Sequence, residues 1–267
     1  SMKLFKTKHI DAPMEYFAAL DIGSSKVSCA IAKLNRDANI EKFPSLKVVG
    51  AASHVSKGIK GGSITNILDL EDSILNAVNA AEQQSKHVIK NIYVNIPSEC
   101  LKSDFIKLNI PLYGQAVKNS HIKKIMEMAK QHLLNSNRKV IHIFPTNFQV
   151  DEITNIPSPV GLLGDNLSCN LHIISSYTPF LANLSLCIGK CHLDIDAFVS
   201  SSYASSLSTL VDDERQMGVT LIDMGSHSTS IICFLDGIPL FQTSIAIGGN
   251  HITHDIAQGL NINLNQA

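Results

Sequence analysis

Apolar and polar positions alternate in two stretches about 200 residues apart, and each apolar run ends in the same kind of turn. Phe17 to Leu20 leads into Asp21-Ile-Gly-Ser-Ser-Lys26, and Val27 to Ala32 follows. Val219 to Ile222 leads into the loop from Asp223 to Ser230, and Ile231 to Leu235 follows. Period-two patterning bounded by small turn residues predicts a β-hairpin in each case. Between them, further strands are expected at Leu46–Ala52, Ile92–Ile96, Phe105–Ile110, Leu171–Ser175 and Leu193–Val199, with a last one at Leu240–Ile247. Two short strands, Val140–Phe144 and Phe148–Val150, are expected on either side of Pro145, which lacks a donor for a sheet ladder. Helical spacing predicts helices over Asp69–Lys86 (Leu70, Ile74, Leu75, Val78 and Ala81 on one face) and Ser120–Leu134 (Ile122, Ile125, Met126, Ala129 and Leu133). Thr178–Lys190 reads as a helix capped by Thr178 with Pro179 at its first position, and Ile252–Leu260 as another. Ser200–Ser208, with six serines in nine positions, reads as a helix of small residues that packs closely on a neighbour.

At 267 residues and 45% hydrophobic content the chain is long enough for two domains with sizeable cores. The mixture of strands and helices places it in the α/β class. A formal net charge of −1, from 22 basic and 23 acidic residues, argues against a nucleic-acid platform driven by bulk charge. Six cysteines without CxxC spacing read as reduced core thiols of a cytoplasmic protein. No apolar run approaches the ~20 residues of a membrane span.

The chemistry concentrates in the hairpin loops. A glycine lets backbone N–H groups approach oxyanions, hydroxyls add donors, and a carboxylate at the strand end can hold hydrated Mg²⁺. Either loop alone matches an ordinary turn; a matched pair facing one ligand is more specific. The glycine-rich stretch Ser56–Gly62 invites a phosphate reading too, but lacks the Gly-Lys-Ser/Thr ending of a P-loop, so a surface crossover is the plainer expectation. Cys187, Cys191 and His192 resemble metal ligands but lack a fourth at a sensible spacing, and His251, His254 and Asp255 resemble a metal pair but read as a helix N-terminal turn with a capping Thr253.

Together these features resemble the FtsA family, the actin-like proteins of bacterial cell division. The resemblance lies in Phe17–Val27 and Ser56–Ser63, in Pro159–Gly164 followed by Leu171-His-Ile, and in Ser201–Leu207 with Asp212–Val219; Gly248–Leu260 extends it. It implies actin-like (ribonuclease H-like) domains with an inserted small α+β subdomain of the 1C type. The expected division is 14–91 as the first part of subdomain 1A, 92–170 as inserted 1C, and 171–215 as the rest of 1A with the connecting helix. Residues 216–250 would then start 2A and 251–267 would start an incomplete 2B. The resemblance implies ATP and Mg²⁺ between the domains. Asp21, Gly23, Ser24, Ser25 and Lys26 would lie on one side, and Asp223, Gly225, Ser226, His227 and Ser228 on the other, with Gly248 and Gly249. Asp21 and Asp223 would hold Mg²⁺ through water. It further implies self-association into filaments, binding of the FtsZ C-terminal tail, contacts with other division proteins through 1C, and membrane attachment through a C-terminal helix beyond Ala267. The expected location is the inner face of the cell membrane at the division site.

Two departures point to little or no hydrolysis. The family's second loop usually runs Asp-Ile-Gly-Gly-Gly-Thr-x-Asp, whereas here Ser226 and His227 replace glycines and Ser230 replaces the closing aspartate. Residues 199–206 also offer no acid or amide to orient water. Two relatives of the same superfamily remain as alternatives: a sugar or acetate kinase, and a pilus-assembly interaction protein.

Overall fold

In the computed structural model, residues 16–35, 45–133 and 136–267 are described. Residues 3–15, whose polar character reads as a loose lead-in, residues 36–39 of a turn that the sequence places at Asn35–Asn39, and the final residue of the Ser120–Leu134 helix lie outside them.

Alternation builds the first sheet. In Tyr16–Ile22 (β1) and Lys26–Asn35 (β2), Ala18, Leu20, Ile22, Val27, Cys29 and Ile31 are buried on one face. β2 also pairs antiparallel with Ser45–Val55 (β3). A short ribbon, Ile59–Lys60 (β4) with Ser63–Ile64 (β5), leads to helix Ile67–Ser85 (α1). Asn66 caps that helix, its Oδ1 accepting from the amides of Leu68 and Asp69 at 3.0 and 3.3 Å. Leu70, Ile74, Val78 and Ala81 of the expected face of α1 are buried, Leu75 is half-buried, and Ala77 joins the buried set. Gly50 permits the close approach of α1 to β3, since a Cβ there would sit 2.3 Å from the Ala81 carbonyl oxygen.

Asn91–Ile96 (β6) then runs parallel to β1. After a single 3-10 turn, Ser98–Cys100, the chain leaves for a separate sheet. That sheet comprises Leu101–Pro111 (β7), Arg138–Val150 (β8), Ile153–Ile156 (β9) and Asn166–Tyr177 (β10), in the order β7-β10-β8-β9, all neighbours antiparallel. Helix Asn119–His132 (α2) lies against it, and Ile125, Ala129, Phe148, Leu167, Leu171 and Ile173 make a second core. The chain returns through helix Thr178–Lys190 (α3) to Asp194–Ser200 (β11), which runs parallel to β6 and completes the five-stranded order β11-β6-β1-β2-β3.

Three expectations change here. Ile92–Ile96 belongs to the first sheet and Leu171–Ser175 to the inserted one, so sheet membership puts the insertion at 101–177 and not at 92–170. The two strands expected around Pro145 are one strand. Pro145 stands opposite Leu171 and Asn147 opposite Asn170, so the irregularity there absorbs the missing donor. The cap of α3 is Tyr177, with Thr178 already helical.

Helix Ser201–Thr209 (α4) is capped by Ser200 and buries Ser202 and Ser206. Helix Asp212–Met217 (α5) precedes a third sheet, Val219–Met224 (β12), Thr229–Leu235 (β13) and Ile238–Ile245 (β14), antiparallel in that order. Helix Gly249–Leu260 (α6) follows.

The three sheets meet at one buried polar junction. Ser103 Oγ (β7) donates to the Gln242 carbonyl (β14) at 2.8 Å. Gln242 Oε1 accepts from Ser200 and Ser202 at 2.8 and 3.0 Å. His172 (β10) lies 2.8 Å from the Pro239 carbonyl, and His142 Nε2 (β8) accepts the Ser200 amide at 3.0 Å. Phe105 stacks on His172, with ring centroids 5.0 Å apart, and shields the junction. Each polar atom named has a partner, as burial demands.

Candidate functional site

Both predicted hairpin loops open onto one cleft of about 410 Å³. They form the same turn. Gly23 N–H donates to the Lys26 carbonyl at 3.0 Å, and Gly225 N–H donates to the Ser228 carbonyl at 2.8 Å. A Cβ at either glycine would lie 3.1 Å from that carbonyl oxygen, so both positions favour glycine on space alone. No protein acceptor among the described residues takes the amides of Ser24, Ser25 and Ser226, which leaves donors for an oxyanion.

The carboxylates sit at the strand ends on either side. Asn95, at the end of β6, accepts the Ile22 amide at 2.8 Å and donates to Asp21 Oδ1, so one amide side chain fixes both the strand end and the carboxylate. Asp223 Oδ2 accepts from Ser205 of α4 at 2.9 Å. Crowding by protein raises the Asp21 pKa above its ordinary value, partly offset by the Asn95 hydrogen bond and by Lys26, and the nearby Asp223 pushes it further up. Two carboxylates that repel across a cleft beside unused amide donors fit a hydrated dication carrying a phosphate, because the cation removes the repulsion.

Asp21, Gly23, Ser24, Ser25, Lys26, Asp223, Gly225, Ser226, His227 and Ser228 all line the cleft. Gly248 and Gly249 are placed behind the second loop. Gly249 and Asn250 donate their amides to the Gly225 and Ser226 carbonyls, both at 2.9 Å, so the start of α6 buttresses the loop. Ser226 Oγ is 2.6 Å from His227 Nδ1, tying together the two side chains that replace glycines.

Asn95, Ser98, Glu99 and Ser201 also line the cleft and escaped the motif reading. Their signal was present in principle: β1, β6 and β11 are parallel, and ligands gather at the carboxyl ends of such strands. Recognising it required the strand order, which local patterning does not give.

The sequence matches two family models, "SHS2 domain inserted in FTSA" over residues 100–175 and "Cell division protein FtsA" over residues 220–267. The chain is 35% identical over 254 residues to the cell division protein FtsA of Rhizobium meliloti, an alignment covering 94% of this chain and 58% of that protein. It is 32% identical over 241 residues to the FtsA of Borreliella burgdorferi, covering 90% of this chain and 57% of the relative. It therefore spans somewhat more than half the length of these relatives. A chain of the PilM–PilN type IV pilus biogenesis complex superposes with a TM-score of 0.67 at 14% identity, covering 94% of this chain and 67% of the other; that likeness concerns the fold alone. With actin-like topology, an SHS2 insertion between β6 and α3, and two facing hairpin loops, the chain belongs to the FtsA family of cell-division proteins.

Proposed function

We propose that this chain is the nucleotide-binding part of a division scaffold, holding the phosphates of ATP or ADP with Mg²⁺ between the two loops and turning over slowly or not at all. The observation that supports it most is the repeated Gly N–H to carbonyl turn on both sides of one cleft, each next to a strand-end aspartate. Asp21 and Asp223 are the residues to hold hydrated Mg²⁺, and Ser24, Ser25 and Ser226 those to donate to phosphate oxygens. Bound Mg²⁺ supplies charge neutralisation there.

Slow turnover follows from the second loop. Ser226 and His227 restrict the backbone where glycines would let it close on a terminal phosphate. Ser200, Ser201 and Ser202 open α4 without an acid or amide to orient water. For the whole protein, the family carries over as proposals the linkage of FtsZ tails to the membrane at the division site and self-association through the insertion. Among the described residues, no helix is long and apolar enough to cross a membrane.

Isothermal titration of Mg-ATP and Mg-ADP is the direct test. Binding is expected, with affinity at least tenfold weaker for Asp21→Asn or when Mg²⁺ is removed by a chelator. No heat with either nucleotide sinks the reading.

A further inference from the structure

Glu99 brings a third carboxylate into the cleft, a charge that phosphate binding does not require. It stands on the 3-10 turn after β6, and its Oε2 accepts a hydrogen bond from Ser228 Oγ of the second loop at 2.9 Å. Its side chain is held in place from behind. A Cβ at Gly62 would sit 2.5 Å from Glu99 Cγ and 2.8 Å from Cys100 Sγ, and the Cys100 thiol donates to the Gly62 carbonyl at 2.9 Å. Gly62 has φ +74°, a conformation that glycine adopts without strain. The glycine-rich stretch that invites a phosphate reading therefore has another use: Gly62 does not line the cleft but is the surface against which Glu99 rests. The charged side chains lining the cleft are then Asp21, Asp223 and Glu99 against Lys26.

We propose that Glu99 is a specificity-determining gate of this cleft, holding the second loop closed through Ser228 when no phosphate is bound and favouring a diphosphate over a triphosphate. The Ser228 hydroxyl has a single proton, so it donates either to Glu99 or to an incoming phosphate oxygen. Once Ser228 turns away, Glu99 is left as an anion facing the ligand's outermost phosphate. A terminal phosphate adds a negative charge nearest the loops, and its repulsion by a fixed carboxylate is on the order of tenfold in affinity after screening. Glu99 thus becomes a second brake, beside the altered second loop, on use of the triphosphate. The selectivity half of this inference rests on the nucleotide reading above; the latch half does not.

Two measurements on the full chain separate them. Hydrogen exchange of the Gly225, Gly249 and Asn250 amides, which donate to the Ser228, Gly225 and Ser226 carbonyls of the second loop, reads the latch in ligand-free protein: E99A and S228A are expected to exchange at least fivefold faster than wild type, and E99Q, which still accepts from Ser228, less than twofold faster. Calorimetry with Mg-ATP and Mg-ADP reads the gate: E99Q is expected to bind ATP about tenfold more tightly and ADP less than threefold more tightly. Unchanged exchange in both E99A and S228A overturns the latch. An equal change for the two nucleotides, or weaker ATP binding in E99Q, overturns the selectivity. Altered exchange with no nucleotide bound by either protein supports the latch and overturns both the selectivity and the nucleotide reading. Urea midpoints of all three variants identify any change that is merely loss of fold.

Discussion

Acidification from pH 7 to pH 4 is expected to destabilise this protein by up to about 3 kcal/mol through His142 alone. Burial, with a smaller contribution from His172, lowers the His142 pKa from 6.5 to about 4. The folded state thus keeps the imidazole neutral while the unfolded chain takes up a proton near pH 6.5. Between those values the unfolded state binds more protons, so stability is complete above about pH 6.5 and falls until about pH 4. The structural cause is plain. His142 Nε2 accepts the amide of Ser200, the cap residue of α4, and a protonated ring has no lone pair to offer. Burial lowers the His172 pKa as well, against the opposing pull of the Pro239 carbonyl and Asp104, and so adds a loss of the same sign. Urea midpoints at pH 7.5, 5.5 and 4.5 check the expectation. The variant His142→Gln, which keeps an acceptor but cannot titrate, should show a flatter profile. An identical profile in that variant would remove His142 as the cause.

The other large effect is expected at Gly248. Its φ of −146° is ordinary extended backbone, so conformational freedom is not the reason for glycine there. Space is. An added Cβ would lie 2.5 Å from the Gly225 carbonyl oxygen and 2.7 Å from both His227 N and the Ser226 carbonyl carbon, all of them backbone atoms that cannot swing aside. Gly248→Ala must therefore displace the second loop, at a cost of about 1–3 kcal/mol, with at least a tenfold loss of Mg-ADP affinity. Gly249→Ala is the internal control: its Cβ would be 3.8 Å from the nearest such atom, within a helix that favours alanine. It is expected to be neutral or slightly stabilising. Equal effects of the two substitutions would show that Gly248 does not set the loop's position. The start of α6 lies directly on the back of this loop, its Gly249 and Asn250 amides donating to the Gly225 and Ser226 carbonyls, so a displaced loop disturbs the helix as well.

The buried thiols lie further from function. Burial drives the pKa values of Cys29, Cys100, Cys169 and Cys191 up to about 12, which leaves them unreactive, packing as small apolar groups. Their scattered spacing already pointed that way.

Much of this was legible in the residues themselves. Period-two alternation located both hairpins, because one face of each strand had to be buried whatever the neighbouring strand was. Helical spacing found α1 and α2, and the serine run gave α4 as a closely packed helix, because their patterns are local and repeat over several turns. The twin loops were legible for the same reason: a carboxylate, a glycine and hydroxyls lie within six residues of each other. What escaped was whatever depends on which strand lies beside which. Ile92–Ile96 reads as a strand in any context, and only pairing with β1 and β11 assigns it to the first sheet and brings Asn95 and Glu99 to the cleft. Pro145 looks like a break until β10 supplies a partner that skips a residue. Gly62 reads as part of a surface crossover and Gly248 as a ligand-site glycine, but each is required by atoms more than twenty residues away. Short-range periodicity is written in the sequence because burial of one face is a local demand; close approaches between distant backbones are settled only when the sheets and helices have packed.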